Sequence, residues 1–165
     1  MTATHGQKAF YVVFAARSES STGHAFVIWG IEDGERKLSS VEARGLYPES
    51  DAASCNVLVG TVPGRIMDEM ANHSVQGITY ALIVRMDEAD FERSRRVARA
   101  WDCRHEFSLV SRDCVEFLHA VGASIHLHMP ERGLLRLAPQ AYIRALQDRA
   151  ADGTLVRTGW INLGW

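Results

Sequence analysis

The apolar positions of this chain fall into short runs separated by polar and glycine-rich stretches. Residues 9–16 (Ala-Phe-Tyr-Val-Val-Phe-Ala-Ala) are aromatic, β-branched and uninterrupted, which predicts a buried strand over Lys8–Ala16. A polar Ser/Thr/Gly loop, Arg17–Gly23, separates it from a second strand over Ala25–Ile31. Glu32-Asp33-Gly34 reads as a turn and Lys37–Arg44 as the third strand. Gly45-Leu46-Tyr47-Pro48 ends that strand, since proline cannot continue a central ladder. Residues 49–77 are less regular: Val57–Val62 suits a strand, and Pro63–Asn72 suits a short helix opening on Pro63-Gly64.

Alternation returns at Ile78–Met86, where Ile78, Tyr80, Leu82, Val84 and Met86 share one face of a strand. Asp87, with Asp90 three residues on, caps a helix whose apolar side is Phe91, Val97, Ala98 and Trp101. A short strand over His105–Val110 leads into a second helix. Val115, Leu118 and Val121, with Phe117 beside them, follow helical spacing there, and Gly122 stands where that helix would stop. Ser124–His128 suits a brief strand. Pro139 opens a last helix to about Ala151, with Tyr142, Ile143 and Leu146 inward and Gly153 ending it. Leu155–Trp165 suits an edge strand. Strands first and helices later predict an α+β protein, an antiparallel sheet packed against helices. With no repeat and no low-complexity linker, residues 1–165 read as a single domain.

Composition acts mainly by exclusion. The 165 residues carry a net charge of −2, with 47% hydrophobic and 23% charged positions, as expected of one globular domain. No long basic run marks a nucleic-acid partner. Arg93, Arg95, Arg96 and Arg99 cluster, but on a helix they read as a solvated face. The eight-residue apolar run at 9–16 is far short of the roughly 20 residues of a membrane span. Residues 1–8 do not resemble a secretory signal, so a cytoplasmic protein, or one exported without an N-terminal signal peptide, is expected. Cys55, Cys103 and Cys114 are an odd set without metal-type spacing, which predicts reduced thiols.

One of these thiols sits where chemistry is favoured. In Ser111-Arg112-Asp113-Cys114-Val115-Glu116, the cysteine opens a helix, where unpaired N–H groups favour a thiolate. Ser111 or Asp113 would cap that helix. An acidic neighbour opposes thiol ionisation unless capping occupies it, and capping is the role expected of Asp113. The best partner base is His24, in Gly23-His24-Ala25-Phe26-Val27, a polar group at the edge of a rigid apolar strand. Cys114 would then be the nucleophile and His24 the base that takes its proton and later protonates the leaving group. The backbone N–H of Cys114 is the natural first oxyanion donor. His105 is a rival base, while Cys55 and Cys103 read as structural.

A strand opening on Gly-His-Ala-Phe-Val, followed downstream by an Asp-Cys dipeptide that opens a helix, resembles the circularly permuted papain-like superfamily. That group includes permuted NlpC-type peptidases and the lecithin:retinol acyltransferase group. The order is histidine before cysteine, as in the permuted members, and the likeness covers about residues 7–122. Asp113 departs from the Asn-Cys form often seen there. The resemblance implies a cysteine amidohydrolase or peptidase acting through a Cys114 thioester on a peptide or acyl-amide substrate, such as a cell-wall peptide. It also admits a lipid or amide acyltransferase or thioesterase. No cofactor and no metal are expected.

Papain-like sites also orient the imidazole with a third residue from a neighbouring strand. A three-residue loop, Glu32-Asp33-Gly34, would set His24 opposite Glu42 on the same face, with Ser40 as its diagonal alternative. A two-residue loop, Asp33-Gly34, would set His24 opposite Ala43 and turn Glu42 away. Two readings of other classes stand beside the hydrolase. One is a binding module of the same fold with an inert Cys114. The other is a metal-dependent hydrolase using His126 and His128, which would share a face on a strand but lack a third ligand nearby.

Overall fold

The structure, a computed structural model, describes residues 8–18, 23–32, 38–49, 60–71, 77–103 and 106–150. Six strands form one antiparallel sheet: β1 (Ala9–Arg17), β2 (His24–Glu32), β3 (Leu38–Pro48), β4 (Val62–Asp68), β5 (Ile78–Met86) and β6 (Glu106–Phe107). Their order across the sheet is β5-β1-β2-β3-β4-β6. Three α-helices follow or interleave, α1 (Glu88–Ala100), α2 (Cys114–Ser124) and α3 (Pro139–Ala150), with a 3-10 turn at Gly133–Leu137. The α+β class and antiparallel sheet are as expected. Among the described residues, no helix is long and apolar enough to cross a membrane.

Both faces of the central strands are buried, which explains the unbroken apolar run in β1. On the helix-covered face, Val12, Phe14, Val27, Trp29, Leu82 and Val84 meet Phe91, Phe117, Leu118, Tyr142 and Leu146. On the opposite face lie Val13, Ala15, Phe26, Ile28, Ala43 and Ile83. Trp29 is fully buried, and its indole N–H donates to Ser94 Oγ at 2.8 Å. That bond satisfies the one polar atom of the largest core side chain.

Four expectations need correction. Pro63–Asn72 is not a helix: Val62–Asp68 is β4, alternating buried Val62 and Gly64 with exposed Pro63 and Arg65. A Pro-Gly pair suits a helix start locally, but pairing along Pro48↔Gly64 to Arg44↔Asp68 wins. Pro63 stands opposite Glu106 at the start of β4, where its carbonyl accepts the Glu49 N–H at 2.8 Å, a bond that needs no N–H from proline. Likewise β3 does not end at Arg44 but runs through Gly45–Pro48, paired with β4. Gly122 does not stop α2, which continues to Ser124.

The expected Ser124–His128 strand is instead the last residue of α2 and the turn that closes it. His126 adopts a left-handed backbone (φ 60), its N–H bonds Ala123 O at 3.1 Å, and the Leu127 N–H bonds Gly122 O at 3.1 Å. This is a Schellman closure, and it removes the shared strand face that made His126 and His128 a zinc candidate. Among the described residues, no group of three or more His, Cys, Asp or Glu side chains is placed to hold a metal. Cys55, His105, and the segments expected as strands at 57–59 and 155–165 lie outside the described residues. Cys103 is an exposed free thiol.

Gly64 is the point where the sheet edge is tightest. A Cβ there would sit 2.8 Å from the Glu106 carbonyl carbon and 2.9 Å from its oxygen. Alanine elsewhere in a strand gains roughly 0.5–1 kcal/mol over glycine. Gly64→Ala is expected instead to destabilise by about 1–3 kcal/mol through overpacking, read from urea unfolding. Unchanged or higher stability would mean that β6 does not press on β4 in this way.

Candidate active site

Cys114 is the first residue of α2, and its neighbours explain why a helix begins there. Asp113 is extended (φ −113, ψ −177), and its Oδ1 accepts the Glu116 N–H at 2.7 Å. Its Oδ2 accepts from Arg136 Nε at 2.9 Å, so the carboxylate is occupied twice, as a cap and as an ion-pair partner. Phe117, Leu118 and Val121 anchor the helix on the sheet.

The β2–β3 pairing runs only as far as Val27↔Arg44, leaving the first residues of β2 unpaired on that side. The Cys114 sulfur comes to this opening. The backbone N–H groups of Ala25, Val115 and Cys114 itself approach it and favour its thiolate. Burial wins nonetheless: with the residue 8% exposed and the Asp113 charge beside it, the thiol is pushed up to about 12. At rest this is a neutral thiol, contrary to the expectation from its place on the helix.

His24 opens β2, 4% exposed, directly across from Arg17 in β1. Strand alternation turns its ring away from the helices, toward the face of Phe26 and Ala43. Its Nε2 lies 3.0 Å from Glu69 Oε1. Glu69 follows β4 directly and is fully buried, its backbone N–H bonded to Ala43 O at 3.0 Å. Tyr47 donates to the same Oε1 at 2.7 Å, and Arg17 Nη1 donates to Oε2 at 3.2 Å. Burial alone would raise the Glu69 carboxyl. The hydrogen bond and charge of His24, then the Tyr47 hydrogen bond and the Arg17 charge, outweigh it and hold the carboxyl below its ordinary value of 4.5. An ionised carboxylate only accepts, so His24 Nε2 carries the hydrogen. A neutral imidazole then has its lone pair on Nδ1.

Gly45 makes this pair possible. A Cβ at that position would lie 2.2 Å from Glu69 Oε1 and 2.5 Å from His24 Nε2. The imidazole and the carboxylate occupy the volume that any other residue would fill.

Glu42 does not face His24. The register is Ile31↔Ser39, shifts between Trp29 and Gly30, and continues as Trp29↔Glu42. Residues 33–37 connect the strands, so neither short-loop register applies, and the shift adds one more offset. Extended toward the start of β2, this register would set His24 opposite Tyr47. Glu42 lies on the helix side, ion-paired to Arg44 and to Arg95 Nε at 2.8 Å. Burial would raise its carboxyl, but Arg95 and Arg44 hold it below the usual range. Ser40, across from Gly30, is equally remote in register.

The structure thus brings together His24 and Glu69, and seats Cys114 on the backbone of the residue after His24. It shows no hydrogen bond between the His24 ring and the Cys114 sulfur. Glu69 was missed because its irregular segment was read as a helix; its sole sequence signal is an acid following Arg65-Ile66-Met67-Asp68. Against known protein families, curated proteins and solved structures, the chain gives no match.

The Glu69 carboxyl is lowered on folding, so its stabilising contribution is present above pH 4.5 and lost as pH falls through the lowered folded value. The melting temperature of the parent should therefore drop more steeply below pH 4.5 than that of Glu69→Gln. Parallel curves would show that the carboxylate is not the ionised partner of His24.

Proposed function

We propose that the protein is a cysteine-dependent acyl-transfer enzyme of permuted papain-like type, an amidohydrolase or peptidase with Cys114 as nucleophile and His24 as base. The observation that carries this reading is the buried, ionised Glu69. It holds His24 by Nε2 and leaves Nδ1 as the basic atom; Cys114 rests one residue along the strand on the helix-covered face, so the two meet only round the open end of β2. Glu69 takes the orienting role first expected of Glu42.

In the resting protein the sulfur rests against the Ala25 N–H, and the thiol is neutral. Attack requires it to leave that amide and pass its proton to His24 Nδ1. The thiolate then adds to the carbonyl of a peptide or acyl-amide, the helix-terminal N–H of Cys114 receives the oxyanion, and His24 returns the proton to the departing amine. Water releases the acyl group from the thioester. Glu69 stabilises the imidazolium while His24 holds the proton. Cell-wall peptides are the substrate class that the resemblance points to.

One observation favours a second reading, a binding module with an inert thiol: Cys114 is buried, without a hydrogen bond to His24, and its thiol is raised to about 12. The two readings separate by alkylation with iodoacetamide, with Cys55 and Cys103 replaced by Ser. The enzyme reading expects Cys114 to label readily at pH 6–7 and labelling to fall sharply in His24→Ala. Labelling only under strongly alkaline conditions, indifferent to His24→Ala, would sink it in favour of the binding module. On an amide substrate, Cys114→Ala should abolish turnover with little change in melting temperature, and Glu42→Gln should retain it.

A further inference from the structure

We propose that Tyr47 and Arg17 are positioning residues which together fix the Nε2–H tautomer and the ring plane of His24. The inference rests on the reading of His24 as the base for Cys114, since it concerns which nitrogen is left to act.

The argument is one of donors and acceptors. A guanidinium has five N–H donors and no acceptor. Arg17 Nη2 lies 2.6 Å from the Tyr47 hydroxyl, so the phenol oxygen accepts there. Its single hydrogen is then available for Glu69 Oε1 at 2.7 Å. Arg17 Nη1 simultaneously reaches Glu69 Oε2 at 3.2 Å and adds its charge to the larger contributions of His24 and Tyr47 that keep the carboxyl lowered. With the phenol donating and the carboxylate ionised, the contact at 3.0 Å admits only a hydrogen on His24 Nε2. The order Arg17 to Tyr47 to Glu69, met by His24 from the other side, has a unique direction. Reversing it would require a protonated Glu69 beside a guanidinium.

Tyr47 acts a second time through its ring. Its centroid lies 4.0 Å from that of the imidazole with planes 29° apart, and Phe26 lies near-parallel at 5.9 Å and 11°. The imidazole plane is thus set by aromatic faces and its rotation about that plane by the carboxylate. Tyr47 touches both determinants. The strand framework holds the parts in place: Arg17 is the cross-strand partner of His24, and Tyr47 pairs with Arg65 four residues before Glu69.

The test is long-range proton–nitrogen NMR on protein labelled with 15N-histidine, for the parent, Tyr47→Phe and Arg17→Gln, with iodoacetamide labelling of Cys114 alongside. The parent should show His24 as a single Nε2–H tautomer. Tyr47→Phe keeps the ring stack and removes the hydroxyl. It should give mixed tautomers and slow Cys114 labelling by about tenfold, short of the roughly 100-fold or greater loss expected when a general base is removed. Arg17→Gln should act in the same direction, and serves if Tyr47→Phe folds poorly. A pure Nε2–H tautomer with parental labelling in both variants would overturn the proposal, as would a parent with hydrogen on Nδ1. If His24→Ala labels like the parent, the general-base reading fails, yet the tautomer spectra still decide the clamp.

Discussion

The central constraint is a carboxylate with no access to water. Glu69 is fully buried, and a buried charge is tolerated only when paired and hydrogen-bonded. Three side chains meet that demand, from β1 (Arg17), β2 (His24) and β3 (Tyr47), while its own backbone bonds to Ala43. The carboxylate therefore ties the ends of three strands to the turn after a fourth. Removing one donor would leave the charge undersatisfied, an error far more damaging than the loss of a surface pair. Gly45 follows from the same constraint, since no larger residue leaves room for the pair.

Cys114 shows a contest of the opposite kind. An exposed helix N-terminus favours an anion by about 0.3–1 kcal/mol. The rise of the thiol from 9.0 to about 12 represents about 4 kcal/mol against the thiolate. Burial decides, and the helix terminus only moderates it. Any nucleophilic role must come from proton transfer to a base at the moment of reaction, not from a standing thiolate. That places the weight of the proposed mechanism on His24 and on what holds it.

The elements with strong periodicity were legible in the chain. β1, β2 and β5, the Asp87-capped α1, the Asp113-capped α2 and the Pro139 start of α3 all follow from runs, spacing and caps. Errors arose where local chemistry and long-range pairing disagree. Pro63-Gly64 signals a helix start locally, yet the segment is a strand because β3 lies beside it. The helix does not stop at Gly122 but at Ser124, closed by the left-handed His126. Glu42 was chosen from a loop length, and one added register offset sent it to the helix side, among Arg44 and Arg95.

By itself the sequence determined the class of the fold, the helix start at Cys114 and the strand start at His24. Each rests on interactions within a few residues: apolar periodicity, an Asx cap, a glycine before a strand. Only the tertiary structure decided which acid meets the imidazole, that Tyr47 stacks on it and that the thiol lies buried. Those facts depend on register summed across four strands and on side chains 45 positions apart, His24 and Glu69. A shift of one residue reverses which face each side chain occupies, and nothing local in the chain records that shift.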